Sequence, residues 1–322
     1  MAGIKGSAAP GRAVTLAVMG GALLTFSDAG LKWLSGELAP GQIMFLRGVI
    51  GGLMVIAITA ATRGAGALHP KSLTIHGLRG AISILATFTY LLGIPDVPLA
   101  MATAILFASP ILMTALAPFF IGEDVGWRRW SAVGAGFVGV LIIIRPTGSG
   151  LEWAVLFILA AAFGEAVRDL ITRGASGRET THSILFTMML FMAGSGLVLP
   201  PYDWPDMAAL HWTVMIGATA IWTTAHVFLI EAFRFGEAAL LAPFKYCNLF
   251  FATILGFVIW GNLPDAWIWT GSAVIVASGL YILHREVLRR APVTALDPVR
   301  DDPELEKEPE PAPKSDQETE PK

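Results

Sequence analysis

Long apolar segments separated by short polar stretches follow one another along almost the whole chain. Each segment has about twenty residues, enough for an α-helix to cross the hydrocarbon layer of a bilayer. Continuous apolar runs such as Leu141–Ile144 argue against a membrane β-barrel, whose strands alternate apolar and polar residues. The pattern therefore predicts ten membrane-spanning helices. Their expected bounds are 14–34, 42–61, 75–94, 98–120, 127–145, 151–172, 181–200, 210–232, 237–260 and 266–284.

The composition also favours a membrane protein, because 54% of the 322 residues are hydrophobic and only 15% are charged. A soluble domain carries about 25% charged residues, so this chain has too little polar surface for a water-soluble globule. The last stretch, 291–322, is the exception, since it is rich in Pro, Glu, Asp and Lys. It has too few apolar residues to form a core and is predicted to be a disordered tail.

The distribution of basic residues predicts the orientation, because cytoplasmic loops carry an excess of Lys and Arg. A cytoplasmic N-terminus leaves Arg145 on the outside and gathers the other loop cations on the inside. Those inside are Lys5, Arg12, Arg63, Lys71, Arg128, Arg129, Arg173, Arg178, Arg234, Arg285, Arg289 and Arg290. No small-residue cleavage site follows the first apolar run, so that span is expected to be retained. We therefore expect a multi-pass protein of the inner (cytoplasmic) membrane with both termini in the cytoplasm.

The two halves of the chain resemble one another. The segment PLAMATAILFASPILMTALAPFFIGEDVGWRRW, from residue 98, is similar to GEAALLAPFKYCNLFFATILGFVIWGNLPDAWIW, from residue 236. Each half holds five spans, an odd number, so the second half must be inserted upside down. Inverted repeats with a site between them are a recurrent plan for secondary transporters. The aligned pairs are Gly122 with Gly261, Gly139 with Gly279, Asp28 with Glu165, and Lys32 with Asp169.

The predicted organisation has four parts. A cytoplasmic N-terminus covers 1–12, the first repeat of five spans covers 13–146, the second repeat covers 150–286, and the cytoplasmic tail covers 291–322.

Across residues 13–286 the chain resembles the EamA family of the drug/metabolite transporter superfamily. The resemblance rests on the two similar segments, on Pro110, on Gly122-Glu123 and on the glycine-rich stretch 134–140. The second half has Asn262 in place of Glu123, which puts a shared role for Glu123 in doubt. The resemblance implies an all-α membrane protein with ten helices in two inverted five-helix repeats, which works by alternating access and is not an enzyme.

Within that family, the chain is similar to S-adenosylmethionine uptake transporters. The residues that carry this narrower likeness are Ser27-Asp28, Lys32-Trp33, Phe45–Arg47, His76–Gly80, 242–246 (APFKY) and Asn262–Asp265.

Ionisable side chains inside the spans are the candidate path for substrate and coupling. At mid-helix each costs about 2.5–3.5 kcal/mol, so each needs a partner, water or a substrate. The predicted path residues are Asp28, Lys32, Arg47, Glu165, Asp169, His226, Lys245 and Tyr246.

Each of these residues also has a purely structural interpretation. Asp28 and Lys32 lie one helical turn apart and either neutralise one another or line the cavity. Arg47 either extends to the interface or binds a carboxylate of Asp28 or of the substrate. His226 either relays a proton or packs. Arg79 is expected to be an interfacial anchor.

Glu165 and Lys245 leave similar alternatives. Glu165 either carries a proton or joins an ion-pair network with Arg168 and Asp169. Lys245, near mid-bilayer, either contacts the substrate or is the structural partner of Glu165 or Asp169. Tyr246 adds an aromatic ring with a hydroxyl group.

The predicted function is secondary transport of a small polar metabolite, coupled to protons or to counter-exchange. By resemblance, the first substrate is S-adenosylmethionine or a similar amino-acid-bearing compound, and riboflavin or another metabolite is the alternative. A membrane-embedded enzyme would need a polar cluster at one interface, whereas these charges lie at mid-depth in both halves. A non-transporting receptor is the third hypothesis. No phosphate loop, metal-ligand cluster, nucleophile motif or nucleic-acid patch occurs, so no cofactor, metal or nucleic-acid partner is expected.

Overall fold

The computed structural model describes residues 10–62, 64–123, 125–145, 152–174, 180–199, 203–235, 241 and 244–290. Within these residues the protein is helical, with one short 3₁₀ turn at Ala65–Leu68 and no strand. The helices are α1 (Pro10–Ser35), α2 (Pro40–Thr62), α3 (Leu73–Gly93), α4 (Leu99–Leu106), α5 (Ser109–Ile121), α6 (Trp127–Ile144), α7 (Trp153–Gly174), α8 (Thr181–Gly196), α9 (Ala209–Phe235), α10 (Cys247–Trp260) and α11 (Ala266–Arg290).

In the described part of the chain, seven helical segments are long and apolar enough to cross a membrane, counting α4 and α5 as one. Two shorter apolar helices, α8 and α10, accompany them. The remaining helix, α7, has spanning length but carries Glu165, Arg168 and Asp169. The predicted all-α membrane fold is confirmed, and these helices match the ten predicted spans.

The helix ends depend on local capping. The Asp265 carboxylate accepts hydrogen bonds from the backbone N–H groups of Trp267, at 3.1 Å, and Ile268, at 2.9 Å, which fixes the first turn of α11. Gly122 ends α5 with φ of 64°, and Gly261 ends α10 with φ of 72°. Glycine adopts this left-handed conformation without the strain that a side chain would add. These two glycines occupy equivalent positions in the two halves.

Two spans are interrupted near their middle. The predicted continuous span 98–120 is broken, because α4 ends at Leu106 and α5 begins at Ser109. In the second half, Tyr246 forms a turn directly before α10. The ring of Phe107, at the first break, packs edge-on against that of Tyr246, with centroids 5.1 Å apart. Non-helical backbone is tolerated at membrane depth where it lines a cavity or is buried in protein.

Helices of the two halves pack against one another in a symmetric pattern. Helix α1 packs on α9, and its counterpart α7 packs on α3. Equivalent helices also meet directly, α2 with α8 and α6 with α11. Helix α1 contacts α10, just as α7 contacts α4 and α5. This is the packing expected of two inverted five-helix repeats related by a two-fold axis.

Glycine allows the closest of these approaches. A Cβ atom added to Gly139 on α6 would lie 2.9 Å from the carbonyl oxygen of Gly271 on α11. A Cβ atom added to Gly271 would lie 2.6 Å from the carbonyl oxygen of Gly139. In lipid, where there is no hydrophobic drive between helices, such small residues let the backbones pack.

The division into domains at 13–146 and 150–286 stays a prediction. The segments 1–9, 146–151 and 291–322 lie outside the described residues, so the predicted N-terminal segment, connection and tail receive no structural account.

Candidate functional site

A cavity of about 610 Å³ lies between the two halves of the bundle. In the described part of the chain, every α-helix except α6 contributes to its lining. From Tyr90 and Thr103 the cavity extends toward the end of the bundle where α1 begins, and there it reaches Ala17 and Leu185. Its volume is in the range of small-molecule sites, about 300–1,000 Å³.

Charged side chains are concentrated around this cavity. All the predicted path residues except Lys32 line it, together with two further arginines. The ionisable lining residues are Asp28, Arg47, Arg79, Glu165, Arg168, Asp169, His226 and Lys245.

The deepest charges are Asp28 on α1 and Arg47 on α2. Arg47 is only 6% exposed, and its Nη2 donates one long hydrogen bond, 3.5 Å, to the Ser27 hydroxyl. Its Nε atom has no hydrogen-bond partner. Asp28 and Arg47 attract one another electrostatically. No direct hydrogen bond or ion pair joins these two described side chains, so neither charge is satisfied by the other.

Two adjacent rings on α9 lie beside Arg47. The guanidinium carbon of Arg47 is 5.1 Å from the centre of the Trp222 ring. The rings of Trp222 and His226 are 3.8 Å apart. The Nδ1 of His226 donates to the Trp222 carbonyl oxygen at 3.0 Å, which leaves Nε2 as an acceptor in the neutral imidazole. This wall therefore offers a flat aromatic surface next to a cation.

On α7, Arg168 holds two carboxylates. Its Nη2 is 3.1 Å from Asp169 Oδ1 and 3.9 Å from Glu165 Oε1. This is the ion-pair network that the sequence left open as the alternative for Glu165. The Asp169 side chain keeps 47% of its surface exposed, so water reaches the cavity at this end.

Lys245 lies directly before the turn at Tyr246, and its exposed side chain lines the cavity. It forms no hydrogen bond or ion pair with any described residue, although it is within electrostatic reach of Glu165. Lys245 is therefore a cation available to a ligand.

Lys32 is not at the cavity, contrary to expectation. Its Nζ donates to three backbone carbonyl oxygens, those of Ile94 at 2.7 Å, Pro95 at 2.8 Å and Val97 at 2.9 Å. The pairing with Asp28 that the helical spacing allowed does not form, because the ammonium group turns to the α3–α4 connection. Trp260 covers it, with its ring centre 5.4 Å from Nζ.

The end of the bundle where α1 finishes is closed. Polar contacts tie its loops together: the His211 Nε2 donates to the Glu37 carboxylate at 2.7 Å, and the Gln42 amide donates to the Pro205 carbonyl at 2.9 Å. Buried apolar side chains fill the space beneath them, namely Leu34, Leu38, Ile43, Leu91, Ile94 and Val97.

Arg145 and Asp265 form a further contact at this end, between α6 and α11. The hydrogen bond from Arg145, with support from the N–H groups of Ile268 and Trp267, lowers the pKa of Asp265 below its ordinary value.

Three lining residues with ionisable side chains, Arg79, Arg168 and Tyr90, were not among the predicted path residues. Arg79 was expected at the interface but lies on the cavity, and Arg168 had been treated only as a partner of its neighbours. Tyr90, near the end of α3, is electrostatically coupled to Asp28, Arg47 and Glu165. A tyrosine in an apolar span has no distinctive sequence signal, so Tyr90 could not be selected. Arg79 could have been selected as a lining residue from its charge.

Glu123 lies elsewhere, at the end of α5. Its carboxylate pairs at 2.6 Å with the buried Arg129 guanidinium. Among the described residues, no group of three His, Cys, Asp or Glu side chains is arranged to hold a metal ion.

Spanning helices around a charged, ligand-sized cavity define a multi-pass membrane protein with a central cavity. Residues 11–145 match the EamA-like transporter family. The resemblance inferred from the sequence is thereby confirmed.

Curated relatives extend the similarity over both halves. The chain is 25% identical to the S-adenosylmethionine uptake transporter of Rickettsia prowazekii, over 81% of this chain and 89% of that protein. It is 28% identical to the riboflavin transporter of Rhizobium johnstonii, over 87% of this chain and 94% of that protein. It is also 28% identical to a pseudopaline exporter of Pseudomonas aeruginosa, over 82% of this chain and 93% of that protein.

One solved crystal structure of a protein aligns with a TM-score of 0.57 at 19% identity. The alignment covers 87% of this chain and 98% of the other, and it supports the fold alone.

Proposed function

We propose that the protein is a secondary transporter that moves a small polar metabolite across the cytoplasmic membrane by alternating access. The observation that carries this proposal is the charged cavity between the two inverted halves, accessible at one end and closed at the other. Its lining residues Asp28, Arg47, Glu165, Asp169, His226, Lys245 and Tyr246 form the substrate and coupling path. Relatives of this chain that share most of its length are named as transporters.

The orientation follows from the basic residues of the loops. With both termini in the cytoplasm, α1 begins at the cytoplasmic side, so the accessible end of the cavity faces the cytoplasm. The structure then represents an inward-facing state, and the contacts around Lys32 and Glu37 close the periplasmic side. Transport in either direction requires that these contacts open while the cytoplasmic end closes.

The first substrate class is S-adenosylmethionine or a similar amino-acid-bearing compound. Four charges of the lining suit such a molecule, namely Asp28, Arg47, Glu165 and Lys245. The relative from Rickettsia prowazekii is named for S-adenosylmethionine uptake.

Riboflavin is the second candidate. The observation that favours it is the aromatic part of the lining, where Tyr90, Phe107, Trp222 and Tyr246 offer surfaces for a planar ring. The relative from Rhizobium johnstonii is named as a riboflavin transporter.

The test is flux in reconstituted vesicles. Purified protein in proteoliposomes should give saturable uptake of labelled S-adenosylmethionine or riboflavin, with and without a proton gradient and with and without internal unlabelled substrate. Faster uptake with the proton gradient would identify proton coupling, and faster uptake with internal unlabelled substrate would identify counter-exchange. Binding without flux would instead support a receptor, and chemical conversion of the probe would support an enzyme.

A further inference from the structure

Asp28 and Arg47 are opposite charges that face the same cavity without bonding to each other. Arg47 is buried, makes one long hydrogen bond to Ser27, and leaves its Nε unpartnered. Asp28 forms no hydrogen bond or ion pair with any described residue, although Arg47 attracts it. Arg47 is a buried charge with incomplete hydrogen bonding, which is costly, whereas Asp28 is partly exposed to the cavity. A group bound between them would compensate both charges.

The geometry points to a subsite for the ammonium and carboxylate groups of an α-amino acid. We propose that Arg47 binds the carboxylate of the ligand and that Asp28 binds its ammonium group. This inference rests on the proposed transport function and names the head group that the site takes.

The chemistry of the two side chains fits this division. A guanidinium presents N–H donors in a planar fork that matches a carboxylate, and its Nε is one of the donors in the usual two-bonded geometry. A carboxylate accepts hydrogen bonds from an ammonium group, which has three donors. Because an α-amino acid carries both charges on one carbon atom, it can neutralise both residues at once.

The wall beside Arg47 determines where the remainder of the ligand lies. Trp222 packs against the guanidinium at 5.1 Å, and this contact holds Arg47 in place. Tyr90 lines the same cavity as Asp28 and Arg47. The ligand side chain must therefore extend away from this wall, toward Glu165 and Lys245 in the accessible part of the cavity. A neutral ring system without an amino-acid head, such as riboflavin, leaves both deep charges unpaired.

Binding measurements with matched probes test the proposal. The probes are S-adenosylmethionine, decarboxylated S-adenosylmethionine, which lacks only the carboxylate, and 5′-methylthioadenosine, which lacks both the head group and the sulfonium charge. Dissociation constants are measured on purified wild-type protein and on the Arg47→Gln and Asp28→Asn variants. The controls are Arg128→Gln and Asp203→Asn, which make the same chemical changes at exposed positions outside the cavity.

We expect the wild-type protein to bind S-adenosylmethionine at least about tenfold more tightly than either analogue, which corresponds to about 1.4 kcal/mol. Arg47→Gln should weaken S-adenosylmethionine but leave decarboxylated S-adenosylmethionine unchanged, because that analogue has no carboxylate to lose. Asp28→Asn should weaken both amine-bearing probes and leave 5′-methylthioadenosine unchanged. The control variants should bind all three probes as the wild type does.

Equal affinity of the wild-type protein for all three probes would overturn the proposal, as would equal losses for every probe in a variant. If S-adenosylmethionine does not bind, the common L-amino acids are screened by thermal shift, and the absence of any stabilisation also overturns it. If Arg47→Gln does not fold, the proposal is tested by the Asp28→Asn variant and by the affinities of the wild-type protein for the three probes. Flux of riboflavin without binding of any amino acid would reject the subsite and keep the transporter. Head-group-dependent binding without flux would reject transport and keep the subsite.

Discussion

The charged side chains of the cavity differ in how far the protein itself neutralises them. Arg168 bonds with both Asp169 and Glu165 on the same helix. Lys245, by contrast, has no ion pair with any described residue and projects into the cavity. A charge that the protein leaves uncompensated near the middle of a membrane is the one most expected to act on a ligand.

Replacing Lys245 tests that difference. Lys245→Met keeps a long, unbranched side chain but removes the cation, and insertion should not suffer because loss of a charge lowers its cost. We expect the transport rate per folded molecule to fall at least about tenfold, or about 1.4 kcal/mol. The measurement is initial uptake into proteoliposomes, with Lys71→Met, an exposed lysine outside the cavity, as the control.

The Glu165→Gln, Lys245→Met double variant separates a ligand-binding role from a structural one. If Lys245 only neutralised Glu165, removing both charges would restore transport, because neither would remain buried alone. We expect no restoration, since Arg168 already pairs with Glu165. Recovery of wild-type flux in the double variant would assign Lys245 a structural role.

At the residue scale, the predicted path residues other than Lys32 line the cavity, but the sequence did not predict their partners. Asp28 and Glu165 could be identified because the repeat places them at equivalent positions. Lys32 was predicted to line the cavity, but it binds backbone carbonyl oxygens of the α3–α4 connection. The pattern of residue types along the chain does not show which backbone groups a side chain will reach. Tyr90 could not be selected, because its role depends on which side chains the fold brings to it.

Among the helical elements, α1 is linked to the α3–α4 connection by the hydrogen bonds of Lys32. Lys32→Met would leave the carbonyl oxygens of Ile94, Pro95 and Val97 without this donor, and hydrogen bonds to a charged group contribute about 1.5–3 kcal/mol each. We expect the closed end of the bundle to open more often.

Cysteine labelling measures this opening. Leu34 is fully buried at the closed end, so a Leu34→Cys substitution, made with Cys247→Ala, reports access from that side. Labelling by a membrane-impermeant maleimide should rise about tenfold when Lys32→Met is added, which corresponds to about 1.4 kcal/mol. Unchanged labelling would show that the lysine does not hold this end closed.

The contact of α6 with α11 offers a matched pair of substitutions. Gly139→Leu would force a side chain against the backbone oxygen of Gly271, whereas a Cβ at Gly134, on the same helix, meets nothing within 4 Å. Overpacking costs about 1–3 kcal/mol, so the thermal midpoint of the detergent-purified Gly139 variant should fall. The Gly134→Leu variant should melt like the wild type, and equal melting of both would refute the close packing of these helices.

The sequence predicted which segments form helices, but it did not predict where a helix is interrupted. The ten apolar segments gave the helices because length and hydropathy are sufficient for a spanning helix. The break at Phe107 and Ala108 was missed because both residues are apolar, so the hydropathy is uninterrupted. Pro110, in the first turn of α5, lacks the backbone N–H that would bond to the Leu106 carbonyl and continue the helix. At the break, Phe107 packs against Tyr246 of the other half.

For the whole molecule, the distribution of loop charges predicts the orientation in the membrane. The excess of basic residues in alternate loops predicts that both termini and the 173–180 loop lie in the cytoplasm. A reporter protein that is active only in the cytoplasm should be active when fused after Arg290 or inserted in that loop. A reporter that is active only in the periplasm should be inactive at both positions. Activity of a periplasmic reporter at either position would contradict the ten-span topology.

The central claim is that one cavity, between two inverted halves, carries a substrate across the membrane. Counterflow tests it most directly: proteoliposomes loaded with unlabelled S-adenosylmethionine, riboflavin or amino acids are diluted into a trace of the same labelled compound. We expect transient accumulation of at least one label, and its loss in the Arg47→Gln or Lys245→Met variant but not in Arg128→Gln. The absence of counterflow for every probe that the purified protein binds would contradict the claim.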